Sequence, residues 1–195
     1  MAANDGFDDA VLGRGLPPAA EAALAEAGAW RTADASRAMA ALMRAQALAP
    51  QHPAVLIALY RHHFFGHRLA AARDVARRAL VVAAQALDLP PVWREVKPFP
   101  LPDARTDSRS RFYLFLLKGY AYLSLRLDDA GEARDALALL SKLDPQDHVG
   151  GSVLEAVRVR ALVGEPAEID GPPTVTGAAA WVRARQGLDA PASPT

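Results

Sequence analysis

With 195 residues, 22 basic and 22 acidic side chains and no cysteine, the chain carries no formal net charge at neutral pH and no thiol chemistry. A neutral chain projects no long-range field, so neither nucleic acid nor an anionic membrane surface is expected as a partner. The lack of cysteine excludes disulfides, thiolate-held zinc, cysteine-ligated iron–sulfur clusters and a cysteine nucleophile, and no cofactor is expected.

Residues 1–16 read as a flexible N-terminus. The segment is acidic and lacks the basic start and apolar centre of a secretory signal, so a cytoplasmic location is expected. Pro17 and Pro18 stand where a first helical turn tolerates proline, and 19–30 runs on as strong helix former. Asp34 is placed to cap a second helix that ends near Ala49 and Pro50. Pro53 opens a third, with Val55, Leu56, Leu59, His63 and Phe64 at helical spacing. Gly66 and His67 make the turn into a partner helix over about 69–87.

The character changes over 88–110, where prolines at 90, 91, 98, 100 and 102 break any helical pattern. This proline-rich insertion is expected to be pinned by Trp93, Val96 and Phe99 in its first half and mobile over 103–110. Helices resume over 110–127 and 130–143, the second ended by Asp144 and Pro145. The most apolar run, 113–125, contains Lys118 and is too short to cross about 30 Å of hydrocarbon. After Gly150 and Gly151, a helix over 152–162 is expected to carry Val153, Leu154, Val157 and Ala161 as one apolar stripe and to cap the array. Residues 165–195 read as an irregular tail with a short helix at 178–185, docked by Trp181 and Val182.

Ala38, Leu42 and Ala45 recur 34 residues later as Ala72, Ala76 and Ala79. A fixed period of this length means helix pairs that bury their apolar faces by stacking on neighbours. The fold class is therefore all-α, an antiparallel helix-pair solenoid over 17–164 with about three repeats and a C-terminal cap. Ala38, Ala45 and Pro50 in the first unit, Leu56, Leu59, Ala72 and Ala79 in the second, and Gly119, Tyr122, Ala133 and Pro145 in the third resemble the tetratricopeptide repeat family. The segments 111–127 (RFYLFLLKGYAYLSLRL) and 143–154 (LDPQDHVGGSVL) also resemble small tetratricopeptide proteins found beside bacterial nitrogen-fixation genes.

The family resemblance implies a concave groove lined by first helices. Its inward positions fall on Ile57, Arg61, Phe64 and Phe65 of one helix and on Tyr113, Leu116 and Tyr120 of another. Such an aromatic, singly cationic trough suits a peptide or an amphipathic helix of another protein, the alternative being that these rings fill core. A clamp for a terminal carboxylate is not expected, since Ile57 and Arg61 occupy its positions. His62, His63 and His67 lack a nearby acid and read as packed or surface histidines, not as a metal site. Arg73, Arg77 and Arg78 with Asp74, and Arg134 with Glu132 and Asp135, read as solvated faces. No nucleophile elbow or paired carboxylate motif appears, so no catalytic residue is expected. The function expected is a non-catalytic adaptor or scaffold, with a self-associating homo-oligomer as the second reading and a hydrolase as the third.

Overall fold

A computed structural model describes residues 15–162. Chain contacts divide the protein into two units, 1–158 and 159–195. The first is described from Gly15, and the second only over 159–162. The expected tail helix at 178–185, with Trp181 and Val182, lies outside the described residues.

Seven α-helices and no strand occur among the described residues: α1 (Pro18–Trp30), α2 (Ala35–Leu48), α3 (Pro53–Phe65), α4 (Leu69–Gln85), α5 (Ser108–Arg126), α6 (Ala130–Leu143) and α7 (Gly151–Leu162). Local chemistry sets their starts. The Asp34 carboxylate accepts from the backbone of Ser36 and Arg37 at 3.0 and 2.9 Å, satisfying amides that the first turn of α2 leaves free. Asp129 does the same for α6 through Glu132, and α3 opens on Pro53, whose missing N–H costs nothing there. The turns after α3, α4 and α5 each pass through one non-glycine residue of positive φ, His67, Asp88 and Asp128. Aspartate and histidine tolerate that region better than most side chains.

Packing runs along the chain. Helix α1 lies against α2, α3 against α4 and α5 against α6; α4 also packs on α5, while α2 touches α3 more lightly. Alanine makes these seams. Ala20 on α1, Ala38, Ala41 and Ala45 on α2, and Ala72, Ala76, Ala79 and Ala83 on α4 are 0–1% exposed. A methyl at each crossing lets backbones approach closely, so stabilisation comes from dense dispersion contact. Larger anchors fill the rest: Leu56, Leu59, Leu80, Leu114, Leu117, Leu123, Leu140 and Leu143.

Three expectations are corrected. The stretch 103–110 is packed, not loose: Ala104 and Asp107 are buried, Ser110 is 0% exposed, and α5 already begins at Ser108. The Asp107 carboxylate is the reason, capping Arg109 N at 3.2 Å and accepting from the Ser110 hydroxyl at 2.8 Å. In the first half of the insertion Trp93 and Val96 are buried as expected, but Phe99 is exposed. On α7, Leu154 is buried and Val153 is 67% exposed, so the two do not share one buried stripe. Adjacent helical residues point about 100° apart, and on this helix only Gly151 and Leu154 are buried, so the covered side is too narrow to take both neighbours.

The seams should resist enlargement. Ala76→Leu is expected to lower stability by about 1–3 kcal/mol through overpacking, read as a lower urea midpoint. Ala70→Leu on the exposed side of the same helix should stay within about 0.5 kcal/mol of wild type.

Candidate functional site

Helix α3 separates two sides. Ile57, Arg61 and Phe65 follow one another at four-residue spacing, so they form one ridge. Ile57 and Arg61 are half-buried and Phe65 is 54% exposed, with the Arg61 guanidinium 5.8 Å from the Phe65 ring centroid. Burial, reinforced by the charge of Arg31, lowers the Arg61 pKa. Phe64 points elsewhere. It is buried, stacked on Tyr60 at 5.7 Å and tilted against Tyr122 of α5 at 5.8 Å. Gly119 completes this α3–α5 contact, since a Cβ there would stand 3.0 Å from the Tyr60 hydroxyl. Burial and the neighbouring Tyr122 push the Tyr60 pKa up.

The expected α5 members do not line an open trough. Tyr113 is 0% exposed, Tyr120 1% and Leu116 9%, so with Phe64 four of the seven expected groove residues belong to the core. The insertion explains Tyr120. Its short 3-10 turn, Trp93–Glu95, lies against α4 and sets the Trp93 ring 5.9 Å from that of Tyr120. The Tyr120 hydroxyl donates to Glu132 of α6, and Arg77 of α4 lies 5.8 Å over its ring. Arg94 covers the Trp93 ring at 4.5 Å while pairing with Glu132 and, at 2.8 Å, with Asp135. One aromatic pair and one arginine thus fasten the insertion across α5 and α6. Residues that read as a solvated face, Glu132 and Asp135, are the acceptors.

A second locus was not legible as a site. Residues 100–104 of the insertion, with Leu143 at the end of α6 and Asp144, Pro145, Gln146 and His148 beyond it, line a partly open hollow of about 110 Å³ over Leu114. The Leu101 amide donates to the Leu143 carbonyl at 2.9 Å. His148 Nδ1 lies 3.4 Å from a carboxylate oxygen of Asp103 and 3.4 Å from one of Asp144. Asp144 is buried and accepts from Val149 N at 2.9 Å; Asp103 is held at a pKa of about 2, chiefly by the Arg105 side chain hydrogen-bonded to it. Lys118, from α5, donates to the Val149 carbonyl at 2.6 Å, and burial lowers its pKa against the pull of Asp147. Asp147 in turn accepts from Ser152 at the start of α7; burial would raise its pKa, but these hydrogen bonds prevail and lower it. The local signal was present in Asp144, Asp147 and His148 around a proline, a spacing that builds turns before it builds chemistry.

The histidines of α3 stand apart. The rings of His62 and His63 meet edge to face at 5.8 Å, and burial followed by the charge of Arg68 lowers both pKa values. Among the described residues no three His, Asp or Glu side chains converge in a group able to hold a metal. No helix among them is long and apolar enough to cross a membrane.

No protein-family profile matches this chain, and no solved structure does. The chain is similar, at 39% identity over 115 residues, to a protein of Azotobacter chroococcum mcd 1 described as an uncharacterized 19.8 kDa protein in the nifW 5′ region. The match covers 58% of this chain and 64% of that relative, so this chain spans less than two thirds of the relative's length.

Tyr113 offers a direct check on the core assignment. Among the described residues its hydroxyl is buried without a hydrogen-bond partner, and burial pushes its pKa from 10.0 up to about 12. Above pH 10 the unfolded chain therefore releases a proton that the folded chain retains. The associated stability is complete below pH 10 and drains away as pH rises toward 12. Tyr113→Phe is expected to flatten that alkaline limb by about 2 kcal/mol relative to wild type. At neutral pH, deleting an unsatisfied hydroxyl should leave stability unchanged or raise it by up to about 1 kcal/mol. Urea midpoints that fall equally in both proteins between pH 10 and 12 would show the phenol to be solvated.

Proposed function

We propose that this protein is a non-catalytic adaptor with a tetratricopeptide-like helical array, docking a segment of another protein and serving as an accessory factor in nitrogen fixation. The observation that carries the docking part is the α3 ridge. Among the residues assigned to an inward face, Ile57, Arg61 and Phe65 retain exposed surface, and the Phe65 ring is 54% exposed beside a cation. An open aromatic with a rigid helix beneath it binds at small entropic cost, which is how anchors dominate interfaces.

The array reading is supported by the alanine register, since Ala38 and Ala45 and their counterparts Ala72 and Ala79 are all buried at consecutive helix contacts. The aromatic contact between α3 and α5 links first helices of successive units in that reading. The pathway is supported by the relative described from the nifW 5′ region. Both segments whose sequence resembles proteins of such regions also meet in space, through Lys118 and Val149. The location proposed is cytoplasmic, with neither nucleic acid nor membrane as partner.

Two measurements test the proposal. Deleting the gene should slow growth on dinitrogen and leave growth on ammonium unchanged; equal growth on both would remove the pathway assignment. A tagged chain carrying Ile57→Glu and Phe65→Ala, with wild-type circular dichroism, should lose its co-purified partner by roughly 30-fold, the scale of a hot-spot anchor. Undiminished capture would refute the ridge.

A further inference from the structure

The second half of the insertion is fixed to the turn that follows α6. A backbone hydrogen bond joins Leu101 to Leu143 at 2.9 Å, and one side chain bridges the two segments. His148 Nδ1 stands 3.4 Å from a carboxylate oxygen of Asp103 in the insertion and 3.4 Å from one of Asp144 in its own turn. Both carboxylates are held in place. The Asp144 side chain is 4% exposed, and its second oxygen accepts from the Val149 amide at 2.9 Å. Asp103 is gripped by Arg105, which keeps it ionised down to about pH 2. The other charged groups around the turn have partners of their own. Arg111 of α5 donates to the Ala104 carbonyl at 3.1 Å, and Lys118 of α5 to the Val149 carbonyl at 2.6 Å, with Asp147 as its charged neighbour. Asp147 accepts from Ser152 of α7, and Lys142 in the last turn of α6 is exposed. An imidazole that is 17% exposed thus lies between two acids carried by two separate segments.

We propose that His148 makes this joint respond to pH: the charged imidazole ties Asp103 to Asp144 and closes the insertion on the turn, and its neutralisation lets residues 100–104 lift. The sign follows from the charges. An imidazole changes charge between about pH 5 and 8. On the acid side of that range one cation faces two carboxylates and is attracted by both. On the alkaline side the same two carboxylates face one another across an uncharged ring, and the Leu101–Leu143 hydrogen bond loses its reinforcement. The response is local, because the first half of the insertion is held by Trp93 against Tyr120 and by Arg94 on Glu132 and Asp135, contacts that involve no histidine. Opening uncovers the floor and wall of the hollow, Leu114 and Leu143, each 1% exposed when the joint is shut. A shift in proton concentration thereby becomes a change in exposed apolar surface. The joint is independent of the docking role proposed for α3.

The test reads amide hydrogen exchange in the full chain from pH 5.5 to 8, each rate divided by the intrinsic rate at that pH. The Leu101 amide reports the joint, since it is the donor to Leu143, and the Ala45 amide in the buried seam of α2 reports global opening. Relative to Ala45, protection at Leu101 should fall by roughly 3–10-fold across this range, the scale of one or two partly exposed ion pairs. His148→Gln should hold Leu101 at one level throughout. Asp103→Asn keeps an oxygen for the Arg105 amide and removes one of the two charges, so it should make the slope shallower. If His148→Gln alters circular dichroism, Asp103→Asn carries the comparison. A flat profile in the wild type, protection that rises with pH, or an unchanged slope in either variant would overturn the proposal.

Discussion

Everything in this molecule depends on how near its helices can come to one another. Alanines at the crossings of α1 with α2 and of α3 with α4 are almost fully buried, and each contributes little apolar area of its own. What they permit is backbone proximity, which multiplies weak dispersion contacts along the whole length of a helix. Leucines and tyrosines on α5 then supply the bulk that alanine seams lack, with Tyr113, Leu114, Leu117 and Tyr120 all at or below 1% exposure. The division of labour is clear: small residues set distance, and large ones fill the space that distance leaves.

Much of the fold was legible because its punctuation is local. Asp34, Pro53, Gly66 and Pro145 act within a few residues of themselves, so helix limits could be read from capping and proline chemistry. At the candidate site, errors arose where a distant element decides. Tyr120 sits at an inward register position, yet the insertion brings Trp93 onto it and Glu132 takes its hydroxyl. Periodicity cannot foresee that, since it describes a helix's own faces and not what a loop from elsewhere lays across them. Phe64 and Phe65 show the same limit at closer range. Neighbours in sequence, they part at the surface, one packed between Tyr60 and Tyr122 and the other open.

The two loci divide along physical lines. The region around Asp103, Asp144 and His148 is internally satisfied: each carboxylate already accepts from backbone or side chain, and the cavity there is small. It behaves as a joint between the insertion and the start of α7. The α3 ridge differs, with an open ring at Phe65 and an Arg61 guanidinium that makes no ion pair with a carboxylate among the described residues. On this chain the open ring and the small hollow lie at different places.

The attachment of Arg94 has a kinetic meaning. Most contacts here join helices adjacent in sequence, which close quickly because little chain entropy is spent. Arg94 and Asp135 lie 41 residues apart, so their pairing has to wait until α5 and α6 have formed a platform to receive it. The insertion's clasp is therefore expected to form late, and weakening it should hasten departure from the native state while leaving the speed of arrival almost untouched.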